Sequence, residues 1–434
     1  MAVEYIKKPE APSRAEQVSM MADDACYDVA DYRGSDSACI PDYSAVASIK
    51  AAAAPPKVPK VFLANDCSFN CAYCGCRASN ERRRKYCLKP PELAAIAVDE
   101  AVKQKRGIFL SSAVYKNADY TQELIVETLR IIRRELRYSG YLHAKVMPGA
   151  DAELIRRTGQ YANRMSVNIE VARGDGYQMV AKQKNRDNIL TPMRQISSMI
   201  REARDCAGRQ GACRHPAPRF ATSQTTQLMA GSVGETDRTI MSLSQALYSK
   251  YRLSRVYYTA FTYLYPVRGY DLPPYQTPHW RMSRLYQADR LMKLYGFSAD
   301  DVAPESCPNL SQDVDPKAEW ALRHLDMFPV EINRADYDTL LRVPGIGIIF
   351  AKRIIEARRG APVTHEVLGK VGVSLKRCQY FITCGGKFNG AVGPDEADAL
   401  RAILSSGGVG SPSGGVGSRR GGGGGGFDGQ VSFL

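Results

Sequence analysis

The chain has 434 residues, 44% of them hydrophobic and 24% charged, the balance of a globular protein long enough for two or three domains. No apolar run approaches the roughly 20 residues that span a bilayer, and the start, MAVEYIKKPEAPSRAEQ, lacks the apolar core of a secretion signal, so the expected location is the cytoplasm with no membrane partner. A net charge of +14 favours a polyanionic partner, nucleic acid foremost, although a plain basic soluble protein has the same balance.

Residues 1–57 read as an irregular N-terminal extension. Strand-like and helix-like segments then alternate. VPKVFLAND (58–66) is a buried strand, and PPELAAIAVDEAVKQK (90–105) is a helix with proline at its start. GIFLSSAV (107–114) is a strand, and 119–140 is a long amphipathic helix stopped by glycine. Strands follow at 141–149 and 164–171, separated by a helix over 151–162 capped by Asp151. A helix over 189–208, a strand within 219–232, a helix over 235–251 and a strand over 254–266 complete six β/α repeats. Such alternation predicts an α/β fold with a parallel sheet, and six repeats suit a partial (β/α)6 barrel over 58–280 better than a closed eightfold one. Chemistry is then expected at the C-terminal ends of the strands.

A helical connector is expected over 281–330, with helices at 281–297 and 315–329. The stretch EINRADYDTLLRVPGIGIIFAKRIIEARRG (331–360) reads as two helices joined by the tight turn PGIG. It opens a small all-α module over 331–390. Gly345 and Gly347 stand at a helix N-terminus, where free amides and the helix dipole favour phosphate, and Lys352 and Arg353 follow within two turns. From about 405 the chain is rich in glycine and serine and is expected to be a disordered tail.

Twelve cysteines in a reducing compartment point to metal or chemistry rather than disulfides where they cluster. The cluster is CSFNCAYCGC at 67–76, directly after the first predicted strand. Cys67, Cys71 and Cys74 give C-x3-C-x2-C, a donor set for three irons of a [4Fe–4S] cluster with the fourth iron left open. Zinc is the competing reading, with Cys76 or Cys87 as a fourth ligand, but zinc sites usually use two short pairs. The remaining cysteines read as small core residues. Cys206 and Cys213, beside Arg and His, fit no ligand pattern.

The cysteine loop resembles the signature of the radical S-adenosylmethionine (radical SAM) superfamily, C-x3-C-x-aromatic-C, with Tyr73 as the aromatic. The resemblance implies a radical SAM partial barrel over about 58–270. It further implies SAM bound at the open iron and cleaved by an electron to give a 5′-deoxyadenosyl radical. Cys67, Cys71 and Cys74 would ligate the cluster, with Tyr73 near the adenine. Ser111 and Ser112 stand where the family usually carries a Gly-Glu pair for the SAM amino group, so the carboxylate of that pair is missing. Ser166, Asn168 and Glu170 alternate onto the face that contacts the SAM ribose, and Gly231 and Gly234 lie in a stretch like the family's adenine-binding loop. The family also implies an electron donor such as a flavodoxin or ferredoxin.

The second stretch, V-P-G-I-G then A-K-R-I, resembles the helix-hairpin-helix DNA-binding motif, which grips the backbone without reading sequence. Both modules together, over roughly 58–387, resemble a bacterial radical SAM family associated with DNA modification or repair, itself linked with uracil-DNA-glycosylase-like proteins. The expectation is therefore a radical SAM enzyme acting on DNA. A tRNA-modifying radical SAM enzyme, a non-catalytic iron–sulfur nucleic-acid binder and a zinc-stabilised interaction protein are the alternatives.

Overall fold

The structure is a computed structural model that describes residues 60–81, 84–208, 220–263, 266–373, 375–393 and 396–406. The extension expected at 1–57, Cys213 and the tail beyond 406 lie outside the described residues. Those described fall into two compact units, 60–234 with 247–277, and 235–246 with 278–406.

The first unit is built on six strands: β1 Lys60–Phe62, β2 Ile108–Ser111, β3 Leu142–Lys145, β4 Arg164–Ser166, β5 Ser223–Ala230 and β6 Arg255–Ala260. Their order across the sheet is their order in the chain, and every neighbouring pair is parallel. Helices α1 Pro90–Gln104, α2 Ala118–Arg130, α3 Ala152–Tyr161, α4 Gly176–Val180 and α5 Arg186–Gly208 supply connections within it, and α6 Asp237–Tyr251, most of which belongs to the second unit, precedes β6 in the chain. The sheet is open between β1 and β6, the topology expected of a partial barrel. Leu110, Ala144 and Met165 share a register row and are fully buried. Each contributes about 1.5–3 kcal/mol of burial if leucine-sized and less for alanine.

Local chemistry sets the helix starts. Asn117 Oδ1 accepts from the amide of Tyr120 at 2.8 Å, and Asp151 Oδ1 from that of Glu153 at 2.8 Å. The helix predicted over 119–140 ends earlier: the α-helix stops at Arg130 and a π-helical turn, Ile131–Glu135, follows. There the Arg133 guanidinium donates to the carbonyls of Tyr138 and Gly140, both at 2.7 Å, and to Asn163 Oδ1 at 2.7 Å, which fixes the exit toward β3. The strand predicted over 164–171 is also shorter. After Ser166 the chain bends, Glu170 takes a left-handed φ of +65°, and its backbone rejoins β5 through Glu170 N to Gln227 O (2.9 Å) and Met229 N to Glu170 O (2.7 Å). After β6, a small antiparallel pair, β7 Thr262–Tyr263 and β8 Tyr275–Gln276, replaces the rest of the strand expected to 266.

The second unit carries α7 His279–Leu294, α8 Ala299–Val302, α9 Pro316–Arg323, α10 Tyr337–Arg342, α11 Ile348–Gly360, α12 His365–Val371, α13 Leu375–Cys378 and α14 Ala397–Ser406. The module expected to be all-α also holds a small sheet, β9 Val330–Glu331, β10 Ile382–Cys384 and β11 Lys387–Phe388, with β10 in the middle. Strands this short were not separable from loop by periodicity; Glu331 fixes them instead. Its carboxylate accepts from the amides of Gly385 (3.0 Å) and Gly386 (2.8 Å) and from Thr383 Oγ1 (3.0 Å). Burial alone would raise this carboxyl, but the hydrogen bonds from Gly386, Gly385 and Asn333 hold it down to about 2.

Candidate functional site

The cysteine loop leaves the C-terminal end of β1, where a parallel sheet presents its loops. It is pinned on three sides. Ser68 donates through its amide (2.8 Å) and hydroxyl (3.0 Å) to Val114 O, beyond β2. Ala72 N donates to Val180 O at 2.8 Å, at the end of α4. Asn70 Nδ2 donates to Arg268 O at 2.8 Å, and Lys182 Nζ to the next carbonyl, Gly269 O, at 2.7 Å, so the segment after β7 straps the loop. On its far side the loop carbonyls of Cys74, Gly75 and Cys76 accept from Arg77, Asn80 and Lys85.

Cys71 is buried, Cys67 and Cys74 are half-buried, and all three are free thiols. Burial pushes the Cys71 thiol up to about 12 and raises Cys67 as well, and the thiols raise one another further. Cys74 goes the other way, to about 7, because the Cys76 thiol donates to it and Lys184 and Lys145 add positive charge against its burial. Cys76 is therefore a neighbour that stabilises the Cys74 thiolate. Cys87 lies elsewhere, bridged to Ala64, with its own thiol raised by burial.

The residue that unites the site is Lys184, which sequence reading passed over. It lies in the loop between α4 and α5, nearly buried. Its Nζ donates to Glu170 Oε1 at 2.9 Å and to Tyr73 Oη at 3.1 Å, and its charge lowers all three thiols. Burial works against its ammonium, yet Glu170 and Cys71 outweigh that and raise its pKa. Glu170 Oε2 is buried with no partner among the described residues. The bend after Ser166 is what turns Glu170 toward this cluster; simple alternation along β4 would not. A lone lysine between an Ala-Lys-Gln and an Asn carries no sequence signal of this role.

The other sequence candidates divide. Ser111 ends β2 and Ser112 follows, both buried, with Ser112 Oγ donating to Ala113 O at 2.7 Å. Ser166 Oγ is 3.0 Å from His143 Nε2, on the sheet's inner face rather than beside Glu170. Asn168 is buried in the bend. Gly231 has a φ of +84°, and a Cβ there would run into Thr277 Oγ1; Gly234, at +67°, has open space. Cys206 is exposed near the end of α5. A shallow hollow of about 460 Å³ lies over Asn117, Asp119, Tyr120 and Glu123 at the start of α2; it holds none of the thiols, and no role is assigned to it.

The donor chemistry suits an iron–sulfur cluster: three thiols on one loop, a fixed ammonium to balance thiolate charge, and an unpartnered carboxylate oxygen beside them. Among the described residues, no group of three or more His, Cys, Asp or Glu side chains is set to hold a metal ion. A cubane places each thiolate on its own iron, a looser arrangement than donors sharing one ion.

In the second unit, α10, the turn at 343–347 and α11 form the hairpin. Gly345 has a φ of +85°, which favours glycine, and a Cβ there would crowd Arg377 and Cys378. Gly345 and Gly347 are both buried, whereas Lys352 and Arg353 are exposed on α11. Arg353 Nη1 donates to Val371 O at 3.0 Å. Beneath the turn, the buried Lys317 ammonium donates to Ile346 O. Thus the glycines fix the turn and the basic pair faces outward. No described helix is long and apolar enough to cross a membrane.

Residues 328–371 match the helix-hairpin-helix motif family. Comparison with curated proteins finds no match. Among solved structures, the FeFe-hydrogenase maturase HydG from Carboxydothermus hydrogenoformans is 15% identical over 54% of this chain and 51% of its own, with a TM-score of 0.39. A second structure of HydG, a maturase of the [FeFe]-hydrogenase, gives 16% identity, 54% and 49% coverage and a TM-score of 0.38. The radical S-adenosylmethionine methyltransferase TsrM from Kitasatospora setae, with cobalamin and a [4Fe–4S] cluster bound, is 12% identical over 48% of this chain and 37% of its own, with a TM-score of 0.34. This chain spans about half the length of the HydG chains.

Proposed function

We propose that this protein is a [4Fe–4S]-dependent radical SAM enzyme acting on DNA, in modification or repair, with the hairpin module holding the nucleic acid. The observation that carries the reading is the C-x3-C-x2-C loop at the C-terminal end of β1, its three thiols served by one buried lysine. Cys67, Cys71 and Cys74 would hold the cluster, which would supply the electron for reductive cleavage of SAM. Lys184 balances the thiolates' negative charge and keeps Tyr73 and Glu170 in place. Glu170 Oε2 is available to accept from a bound hydroxyl or amine, since nothing among the described residues uses it. The β1 loop and its strap exclude water from Cys71. In the other unit, exposed Lys352 and Arg353 supply phosphate contacts.

The test is anaerobic reconstitution with iron, sulfide, SAM and a reductant. The reading expects 5′-deoxyadenosine from wild type and none from Cys71→Ala. A reconstituted cluster that leaves SAM intact overturns it. Competition binding of duplex DNA against tRNA at stated salt decides between the two nucleic acids.

A further inference from the structure

The hairpin turn of the second unit rests on a buried charge. Ile346 is fully buried, and its carbonyl accepts from the Lys317 ammonium. No other donor to that oxygen is found among the described residues. Lys317 is 7% exposed and stands in the first turn of α9. Its Nζ lies 5.1 Å from the centroid of the Tyr295 ring, and a Cβ on Gly347 would stand 3.2 Å from Tyr295 Oη. Asp315 fixes the start of α9, accepting from the amides of Lys317 (3.1 Å) and Ala318 (3.2 Å), and pairs with Arg377 of α13. Arg377 in turn backs Gly345. Lys317 therefore lies under a turn held at both of its glycines, at the point where α11 begins.

Burying an ammonium costs stability unless its charge is used, and the charges around Lys317 do not balance it. Burial holds it down to about 7; Asp315 opposes the shift, Arg377 of α13 and Arg342 of α10 add to it, and Cys378 opposes it. Asp315 is itself shared with Arg377 and Arg284 of α7, and Arg342 has Asp301 at 3.5 Å. Positive charge is thus in excess around the turn. Phosphates held by the exposed Lys352 and Arg353, in the first two turns of α11, would relieve that excess.

We infer that Lys317 is a positioning residue for nucleic acid: its ammonium holds the turn from beneath so that α11 presents Lys352 and Arg353 outward, and bound nucleic acid stabilises that ammonium in return. The inference rests on the nucleic-acid reading of the hairpin above and is independent of the cysteine loop. Below about 7 Lys317 is charged with or without nucleic acid, so affinity is flat with pH. Above that value the free protein has lost a proton that the complex retains. Binding then takes up a proton, and affinity falls with rising pH by at most about tenfold per unit. Stability moves the opposite way over the same window, because the unfolded chain keeps the proton. A lysine that only supports the fold would move stability with pH and leave affinity alone.

The full-length, anaerobically purified protein is titrated calorimetrically with a short DNA duplex at fixed salt, from about pH 6 to about pH 9, in two buffers of different ionisation enthalpy. The difference in heat counts the protons taken up. Wild type should take up protons near pH 8 and lose affinity several-fold across the range. Lys317→Met should bind several-fold more weakly at pH 6, with a flatter profile and a smaller uptake; the histidines, present in both proteins, cancel in the difference. Lys317→Arg keeps its charge at every pH and should hold the acid-side affinity to pH 9. Should Lys317→Met not fold, by circular dichroism, Lys317→Arg carries the comparison. The inference is overturned if the wild-type uptake equals that of the variants, or if affinity is flat while stability still rises with pH. DNA binding without proton uptake fails this inference alone; absence of binding at every pH overturns both it and the nucleic-acid reading.

Discussion

Replacing Lys184 by methionine should be among the most damaging single changes in the first unit. The Lys184–Glu170 pair is 2.9 Å long, with side chains 10% and 5% exposed. Methionine matches the stem but removes the ammonium, leaving Glu170 with Oε1 stripped of its cation and Oε2 already unpartnered. Breaking a buried pair from one side costs about 3–5 kcal/mol, because the remaining charge stays desolvated. Tyr73 Oη also loses its donor, adding roughly 1 kcal/mol. The double variant Lys184→Met with Glu170→Gln removes the stranded charge and should recover much of the loss. That is a coupling within the ~0.5–3 kcal/mol seen for residues in contact. Urea unfolding of metal-free protein at pH 7 measures both, so cluster occupancy does not enter. If Lys184→Met unfolds within about 0.5 kcal/mol of wild type, or the double variant is no more stable than the single, the pair is not the electrostatic centre of the site.

Burial holds the Lys317 ammonium down to about 7, with Asp315 opposing and Arg377 and Arg342 adding to the shift. Below that value the lysine is charged in both states. Between it and the unfolded value of about 10.4 the unfolded chain binds the extra proton, so stability should rise with pH across that window. Lys317→Met should flatten the rise in a chemical-denaturation series, and an unchanged slope in the variant refutes the assignment. Gly345→Ala forces a side chain onto a φ of +85° with its Cβ 3.2 Å from Arg377 Cβ and 3.3 Å from Cys378 N. The expected loss is about 1–3 kcal/mol, read as a lowered urea midpoint, and no change would mean that the turn relaxes freely. Lys352→Ala and Arg353→Ala should each weaken DNA binding evenly across sequences and cut the slope of log K against log salt by roughly 1. Salt slopes identical to wild type would remove α11 from the interface.

Much of the framework was legible in order. The six alternations, the cap at Asp151 and the cysteine triplet are local patterns, and short-range sterics and hydrogen bonds decide them. The hairpin was equally legible, since a left-handed turn favours glycine and Gly345 takes one. Boundaries failed where non-local contacts won. The helix expected to 140 gave way to a π turn that aims Arg133 at three carbonyls and Asn163. The strand expected to 171 broke at Ser166, because β5 recaptures the backbone of Glu170.

Sequence alone thus determined which atoms are available: three thiols on one loop, an aromatic between them, and two basic residues after a glycine turn. Only tertiary structure decided that Lys184 belongs to the thiols, that Glu170 faces it while Ser166 turns to His143, and that the glycines of the hairpin are covered. The reason is distance along the chain. Lys184 donates to Tyr73 across 111 positions of sequence, and a hydrogen bond between segments so separated depends on the packing of whole strands and helices, which no local pattern of residues encodes.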